Sequence, residues 1–271
     1  MRPPRGSASK EKMPSLKRLR KSQEQSTIKE DGAKTSVILT RILDEIAAPL
    51  DESAVLCQRV LDGAGSKLSL EQRKWIEGVS SGSSRAAQRL RDYVDLMLLE
   101  SGDFALRSKV HDLEEIIEQA TKHYRSIART RGLHLIIEPP VRPLPPVLAD
   151  PACVTQVLMN LIGNAVKFTD RGQVTISTEL YDRSIAVHIV DTGIGIPPVH
   201  LPKLFDDFQQ GEGAKTRDPS GCGLGLTLSR RLVVRLGGDI WATSTVGVGS
   251  KFSFTVPRAP APAAPSKLAP V

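Results

Sequence analysis

The chain has 271 residues, of which 40% are hydrophobic, enough for one or two folded domains with a substantial core. Its net charge of +7 comes from the two ends, because removing residues 1–35 and 258–271 leaves 25 basic and 26 acidic residues. Aromatic residues make up only 4% of the chain, so no basic and aromatic surface for single-stranded nucleic acid is indicated. We therefore expect no nucleic-acid partner.

Cysteine usage and hydropathy indicate the compartment. The cysteines Cys57, Cys153 and Cys222 are scattered and odd in number, which argues against a disulfide framework and for a reducing environment. No apolar run approaches the ~18 residues of a membrane span, and no apolar segment follows the basic start as in a signal peptide. We therefore expect a cytoplasmic protein with no membrane span of its own.

Two helical patterns follow a polar start. Residues 1–35 are charged, and we predict that they form a disordered basic tail with some frayed helix. From Val37 to Leu61, apolar residues recur at helical spacing, and a second run of this kind extends from Trp75 to Met97. These runs predict two helices.

The breaks between these runs indicate how the helices are connected. The glycine-containing segment 62–66 separates them, Gly102 ends the second, and Pro49 is expected to kink the first. We predict a helical hairpin dimerisation domain over residues 36–105. One hairpin cannot bury both apolar stripes, so we expect two chains to form a four-helix bundle.

Helix and strand patterns alternate in the remainder of the chain, which indicates an α/β arrangement. Asp150 and Pro151 predict an N-cap followed by proline in the first helical turn. The predicted helices cover 111–131, 151–168, 200–208 and the residues up to Gly237-Gly238. The predicted strands cover 133–138, 173–180, 184–191, 239–244 and 250–256. The Ala/Pro-rich tail 258–271 is expected to be disordered.

The first candidate segment is a polar face on the predicted helix 151–168. Asn160 and Asn164 are four residues apart and share one helix face, and Lys167 adds a cation beside it. Two amide oxygens and an ammonium group suit a magnesium–phosphate cluster, because Mg2+ prefers hard oxygen ligands together with substrate phosphates. A solvent-facing polar stripe would have the same pattern.

Three further segments have the chemistry of a nucleotide site. Asp191 ends an apolar strand and can accept from an exocyclic amine, and Gly193 and Gly195 let the backbone approach a flat ring. Phe205 belongs to an aromatic pair that can anchor a mobile loop or lie in the core. A last group of glycines precedes a helix, where exposed N–H groups and the helix dipole favour an anion. These glycines are Gly221, Gly223 and Gly225.

In their order and spacing, these four segments resemble the asparagine, first-glycine, phenylalanine and second-glycine boxes of the catalytic domain of two-component sensor histidine kinases. The resemblance covers about residues 105–257. It implies an α+β chain in which the helical hairpin precedes an α/β sandwich domain over 106–257, with a mixed sheet covered by three helices. The wider group contains the gyrase, heat-shock chaperone and mismatch-repair ATPases. ATP would lie under a flexible lid at 209–220.

The resemblance also implies roles for individual residues. Asn164 would hold Mg2+, Asn160 and Lys167 would lie near the phosphates, Asp191 would bind the adenine amine, and Phe168 would pack near the base. The other ATP-binding positions would be Gly193, Gly195, Ile196, Phe205, Gly221, Gly223, Leu224 and Gly225. The related ATPases have a water-activating glutamate where this chain has Asn160. Because an amide cannot act as a general base, we expect no fast ATP hydrolysis and favour phosphoryl transfer to a protein side chain.

The segment 42–50 resembles the phosphoacceptor segment of the same family, Ser-His-Glu-Leu/Ile-Arg-Thr-Pro-Leu, but Asp44 stands at the position of the acceptor histidine. Neutral imidazole is a nucleophile at physiological pH, whereas an ionised carboxylate repels a polyphosphate. Asp44 and Glu45 therefore mark a degenerate catalytic position, although aspartate forms acyl phosphates in other enzymes. The five histidines lie elsewhere and are interpreted as surface or packing residues: His111, His123, His134, His188 and His200.

Three functions fit these features. The first is an ATP- and Mg2+-dependent kinase that phosphorylates a partner, such as the histidine of a second histidine kinase in a heterodimer. The second is a degenerate pseudokinase that regulates a partner through nucleotide-dependent conformation. The third is an anti-sigma-type serine kinase, a family that lacks the dimerising hairpin. The first two imply a homodimer or heterodimer and a response regulator or other phosphorelay protein as partner.

Overall fold

The computed structural model describes residues 16–64, 67–206 and 223–260, with side chains from Leu39 onward. The chain divides into two compact units. One contains the residues up to Val94 together with Glu100–Asp103, and the other contains Asp95–Leu99 and the chain from Phe104. Within the described parts, no helix is long and apolar enough to cross a membrane.

Two long helices form the start of the chain. Helix α1 spans Leu16–Ala64 and continues through Pro49, and α2 spans Leu70–Ser101. Ser69 begins α2 with a capping box, which satisfies backbone N–H groups that the helix leaves unpaired. Gly102 ends α2 in the left-handed conformation, with a φ of 82°, as the sequence predicted.

The prediction of a disordered tail over residues 1–35 is wrong from Leu16 onward, where α1 begins. Residues 16–35 are rich in Leu, Lys, Arg, Gln and Glu, which are good helix formers, and no proline occurs between Pro14 and Pro49. Gly32 is the least favourable residue of this segment, at a cost of roughly 1 kcal/mol relative to alanine. Residues 1–15 lie outside the described part of the chain.

Side-chain contacts join α1 to α2 in antiparallel order. The Arg91 guanidinium makes a bidentate pair with the Asp51 carboxylate, with a shortest N···O distance of 2.7 Å. The Ser80 hydroxyl donates to the Ala54 carbonyl at 3.3 Å. The buried apolar residues of this unit are mostly small: Ala47, Ala54, Ala87 and Val94. Larger apolar side chains stay exposed, among them Ile42, Ile46, Leu56, Val60, Trp75 and Val79.

Over residues 104–206 and 223–260, the second unit contains three α-helices and seven strands. Its helices are α3 at Leu113–Thr130, α4 at Pro151–Phe168 and α5 at Leu224–Arg235. Its strands are β1 at Lys109–His111, β2 at Leu133–Ile137, β3 at Val147–Ala149, β4 at Gly172–Leu180, β5 at Ser184–Asp191, β6 at Ile240–Thr245 and β7 at Gly249–Pro257. A 3-10 helix spans Leu201–Lys203.

Five strands form a mixed sheet in the order β2-β4-β5-β7-β6. Strands β2 and β4 pair in parallel, and the other neighbours pair antiparallel. The central strand β5 places Ile185, Val187 and Ile189 in one core with residues of all three helices. The fully buried helical members include Leu113, Val154, Val157, Leu158, Leu161, Ile162, Leu224, Leu232 and Val233. The predicted α/β sandwich is therefore confirmed, with three α-helices among the residues that the structure describes.

The start of α4 follows its local sequence signals. Asp150 caps the helix by accepting from the Ala152 N–H at 3.0 Å, and Pro151 is its first residue. The other Asp150 oxygen accepts from the Arg107 N–H at 2.8 Å, so one carboxylate fixes both the helix start and the preceding chain. The predicted end at Phe168 is also confirmed.

Some predicted boundaries are wrong. The helix predicted over 111–131 begins at Leu113, because Asp112 accepts from the Glu114 N–H and caps it. His111 instead ends β1, which pairs antiparallel with β3 in a two-stranded sheet. These three-residue strands are too short to show an alternating pattern. The helix predicted over 200–208 is limited to the 3-10 helix among the described residues, and 207–208 lie outside them.

The predicted disordered tail is fixed at its start. The Arg258 N–H donates to the Arg183 carbonyl at 3.0 Å, and the Ala259 N–H donates to the Pro146 carbonyl at 2.8 Å. These bonds extend the edge of the domain to residue 260, which corrects the predicted boundary at 258. Residues 261–271 lie outside the described part.

His188 lies in a polar row across the sheet. It is 5% exposed, and its ring nitrogens contact Ser253 Oγ at 2.9 Å and Glu179 Oε2 at 3.2 Å. Burial and the nearby Lys251 ammonium lower the pKa of His188 from 6.5, although the bond with Glu179 acts in the opposite direction. His188 is thus a packing histidine, as the sequence suggested.

The lowered pKa of His188 predicts a pH dependence of stability. The unfolded chain binds more protons than the folded chain between the lowered pKa and 6.5, so the free energy of unfolding should fall as pH decreases through this window. Urea unfolding at pH 5 and pH 7.5 measures this change in the free energy of unfolding. In a His188→Gln variant, the difference between the two pH values should be smaller. The control is a His134→Gln variant, because His134 is exposed. This variant should keep the pH dependence of the unchanged chain. Equal slopes for all three proteins would contradict this assignment.

Candidate functional site

The polar face of α4 contacts the start of α5. The Asn160 amide donates to Ser229 Oγ at 2.8 Å, and its Oδ1 lies against the Cα of Gly225, where a Cβ would overlap it. Ser229 is a buried polar residue whose helix neighbours Leu232 and Val233 are apolar. Asn160 thus joins the asparagine segment to the second-glycine segment.

Asn164 and Lys167 lie on the same helix, one and two turns after Asn160. Asn164 is half-buried and makes no side-chain hydrogen bond among the described residues. The Lys167 ammonium lies 5.1 Å from the centre of the Phe168 ring, within the range of a cation–π contact. The predicted roles of Asn164 and Lys167 at a magnesium–phosphate cluster stay predictions.

Asp191 ends β5 as a buried carboxylate that organises the loop after it. Its Oδ1 accepts from the Gly193 N–H at 2.8 Å and from the Ser250 N–H at 3.3 Å. Burial raises the pKa of Asp191, whereas these hydrogen bonds oppose the rise. Because both backbone donors use Oδ1, the loop geometry depends on one oxygen of the carboxylate.

The first-glycine loop packs directly on the end of α4. The Ile194 N–H donates to the Phe168 carbonyl at 3.3 Å, and a Cβ on Gly193 would overlap that same carbonyl oxygen. Gly195 has a φ of 71°, a backbone angle that residues with a side chain rarely adopt. Ile196 continues the loop, and its N–H donates to Ser244 Oγ at 2.7 Å. The asparagine and first-glycine segments therefore form one continuous surface.

The second-glycine segment is described from Gly223 onward. Gly223 precedes α5 with a φ of 71°, and Leu224, the first helical residue, is buried. Gly225 contacts Asn160, as stated above. Gly221, Cys222 and the predicted lid at 209–220 lie outside the described residues, so their predicted roles stay predictions.

Phe205 is half-buried and packs against the core of the domain. The segment that contains it is tied to α5, because the buried Thr227 hydroxyl donates to the Asp206 carbonyl at 3.0 Å. Its predicted aromatic partner, Phe208, lies outside the described residues. The motifs did not indicate the contacts of Thr227 and Ser229. The signal for them in the sequence is that each is a small hydroxyl residue one helical turn after a glycine.

Asp44 and Glu45 lie on α1, in the other unit, and both are exposed. The Glu45 carboxylate pairs with Arg41 one turn earlier, at 3.0 Å, and both side chains are largely exposed. An exposed pair of this kind contributes little to stability. Within the second unit, α4 contacts both the first-glycine loop and the described part of the second-glycine segment, whereas Asp44 and Glu45 lie on an exposed helix of the first unit.

Comparisons with known proteins agree with this arrangement. Residues 149–260 match the family model described as histidine kinase-, DNA gyrase B- and HSP90-like ATPase. The autoinducer 2 sensor kinase/phosphatase LuxQ of Vibrio cholerae serotype O1 is 30% identical over 86% of this chain and 27% of its own length. The aerobic respiration control sensor protein ArcB of Escherichia coli K12 is 34% identical over 82% of this chain and 28% of its own length.

A solved structure matches across most of the chain. The crystal structure of full-length ShkA in complex with AMPPNP has a TM-score of 0.65 and 26% identity, and the match covers 82% of this chain and 46% of that one. Residues 149–260 therefore form an ATPase domain of the histidine kinase, gyrase and HSP90 class. Within this class, the sensor kinases and ShkA among the similar proteins indicate an ATP-binding domain of the histidine kinase type. The chain spans just over a quarter of the length of the two sensor proteins.

Proposed function

We propose that the chain binds ATP together with Mg2+ at the surface formed by α4, the first-glycine loop and the start of α5, and transfers the γ-phosphoryl group to a histidine of a partner kinase. The observation that carries this proposal is the direct contact of the three nucleotide segments. Asn160 meets Gly225 and Ser229, while the end of α4 meets Gly193 and Ile194. One ligand can therefore touch all three segments.

The donor set suits both parts of the ligand. Asn164 offers an amide oxygen without a hydrogen bond among the described residues, and amide oxygen is a ligand that Mg2+ accepts alongside phosphates. When bound, Mg2+ would neutralise charge on the phosphates. Lys167 adds a positive charge for the phosphates, and Asp191 presents a carboxylate oxygen to the adenine amine. Asn160 positions α4 against α5, and its amide does not activate water.

Transfer to a partner follows from the residue at the acceptor position. In the proposed step, an imidazole nitrogen of the partner attacks the γ-phosphorus, the N–P bond forms, and the P–O bond to ADP breaks with its electron pair leaving on ADP. The ring N–H proton passes to solvent. Asp44 is negatively charged at neutral pH and would repel the incoming phosphate, so the chain would not label itself.

A pseudokinase is the second candidate, and Asp44 is the observation that favours it. A chain without an acceptor histidine can still change shape on binding ATP and thereby regulate a partner. The two candidates make the same prediction for ATP binding and opposite predictions for phosphoryl transfer.

The first unit provides the proposed contact with a partner. Its exposed apolar side chains, which include Ile46, Leu56 and Trp75, would be covered in a dimer, because isolated helix pairs with such stripes are marginal in water. We propose a homodimer or a heterodimer with another histidine kinase, and a response regulator or other phosphorelay protein as the next acceptor. We also propose that the chain acts in the cytoplasm, where ATP is available as the phosphoryl donor.

The proposal predicts a defined loss of ATP binding in an Asp191→Asn variant. The amide oxygen can keep the bonds from Gly193 and Ser250, whereas the NH2 group replaces the oxygen that would accept from adenine. We expect ATP affinity to fall about tenfold or more, since a hydrogen bond to a charged group contributes about 1.5–3 kcal/mol. Calorimetric titration with ATP and Mg2+ measures this change.

A matched control and a labelling assay complete the test. Asp182 is exposed in the turn between β4 and β5, so Asp182→Asn should leave ATP affinity unchanged. Incubation with γ-labelled ATP and a histidine kinase whose own ATP site is disabled should place label on that partner only. Binding without label on the partner would favour the pseudokinase. No binding by the unchanged chain would refute both candidates.

A further inference from the structure

Helix α3 contacts α4 at the turn that carries both asparagines. The Tyr124 hydroxyl on α3 donates to the Met159 carbonyl of α4 at 2.8 Å. Gly163 lies between Asn160 and Asn164 in the sequence, and a Cβ at Gly163 would lie 2.7 Å from Tyr124 Oη and 3.3 Å from its Cζ. The phenol can therefore reach the backbone of α4 because residue 163 has no side chain.

This hydrogen bond adds to the helix without replacing one of its bonds. In an α-helix the Met159 carbonyl accepts from the N–H four residues later, and a carbonyl oxygen has two lone pairs. The Tyr124 hydroxyl donates to the lone pair of the Met159 carbonyl that the helix bond leaves available. Burial raises the pKa of Tyr124, so the hydroxyl keeps its proton at neutral pH and stays a donor.

A second contact from α3 lies two turns further along α4. The Arg131 guanidinium donates to the Val166 carbonyl at 2.7 Å. Met159 and Val166 are seven residues apart, so about 10 Å of helix separates the two contacts. Two fixed points on one helix determine both its rotation about its own axis and its position along that axis. The segment between them carries Asn160 and Asn164.

From this geometry we propose that Tyr124 is a positioning residue of the nucleotide site, which sets the rotation of α4 and so aims Asn164 and Lys167 at the magnesium and phosphates of ATP. This inference rests on the proposed function. Asp191, which is proposed to bind adenine, belongs to β5 and is fixed by Gly193 and Ser250 instead. Loss of the Tyr124 hydroxyl should therefore affect the phosphate end of the ligand and spare the adenine end.

The test is a Tyr124→Phe variant, which removes one oxygen atom and keeps the ring. We expect the Kd of Mg-ATP to rise about threefold to tenfold, which is the range of one hydrogen bond, and the Kd of adenosine to stay unchanged. Calorimetric titrations of the full chain with each ligand measure both values. The matched control is Tyr181→Phe, because the Tyr181 hydroxyl donates to the exposed Glu179 on β4 and not to α4.

A second variant tests the same contact from the other side. Gly163→Ala places a methyl group against the phenol oxygen, so it should weaken Mg-ATP binding in the unchanged chain. In the Tyr124→Phe background the closest oxygen is gone and the nearest carbon is at 3.3 Å, so the added effect of Gly163→Ala should be smaller. This non-additivity is expected for residues in contact.

The outcomes separate this inference from the proposed function. Unchanged Mg-ATP binding in Tyr124→Phe, or an equal loss for Mg-ATP and adenosine, would overturn the positioning role and leave the ATP site intact. Additive effects of Tyr124→Phe and Gly163→Ala would also overturn it. If the unchanged chain bound adenosine but gained nothing from the phosphates and Mg2+, the proposed function would fail, and the inference with it.

Discussion

An Asp44→His variant is expected to label itself from γ-labelled ATP and Mg2+, whereas the unchanged chain is expected to take up no label. Asp44 is exposed on α1, and the resemblance of residues 42–50 to the phosphoacceptor segment assigns it the position of the acceptor histidine. A neutral imidazole has a nucleophilic lone pair at pH 7 and no charge to repel the triphosphate. If the ATP-binding domain has kept its phosphoryl-transfer geometry, this one change supplies the missing nucleophile. Acid-labile, base-stable label on the protein is the measurement.

The chain offers a closely matched control for this variant. Asp62 is also an exposed aspartate of α1, and it lies 18 residues, or five turns, after Asp44. It therefore projects from about the same helix face, about 27 Å further along the axis. Asp62→His should stay unlabelled, and adding Asn164→Ala to Asp44→His should abolish the label. An Asp44→His variant that binds ATP normally and takes up no label would contradict the kinase proposal and support the pseudokinase.

Short-range signals predicted the elements that carry the candidate site. The cap at Asp150 with Pro151 fixed the start of α4, and the resemblance of the surrounding motifs placed the asparagines, Asp191 and the glycines in one ATPase domain. Each cap and each motif depends on residues within a few positions of one another, and the resemblance adds the order and spacing of the motifs along the chain. The sequence could therefore predict the sandwich domain and the order of its elements.

Contacts between distant residues were beyond the same reasoning. The pairing of β1 with β3 joins three-residue strands about 38 positions apart, and neither is long enough to show a periodic pattern. Ser229 and Tyr124 contact the asparagine segment across 69 and 35 positions. The start of α1 at Leu16 has a different explanation, because the charged composition of this segment is typical of disorder although its individual residues favour helix.

A Gly195→Ala variant is expected to lose far more stability than Gly247→Ala. The two glycines have nearly equal backbone angles, with φ values of 71° and 78°, so both changes force an alanine into the left-handed region at a cost of about 1–2 kcal/mol. Their surroundings differ. A Cβ at Gly195 would overlap the Thr245 carbonyl oxygen and lie 2.8 Å from the Val246 Cα, whereas a Cβ at Gly247 meets nothing within 4 Å.

The added cost at Gly195 comes from overlap with backbone atoms of Thr245 and Val246. Backbone atoms cannot change rotamer to relieve an overlap, as a flexible side chain can. Overpacking of this kind costs about 1–3 kcal/mol, so Gly195→Ala should lower the free energy of unfolding by roughly 2–5 kcal/mol in total. Relief of the overlap would move the first-glycine loop away from β6, which breaks the bond from Ile196 to Ser244 and weakens ATP binding. Urea unfolding and ATP titration of both variants measure the two effects. Equal losses of stability would show that the left-handed angle, and not the close approach to Thr245, is why this position is glycine.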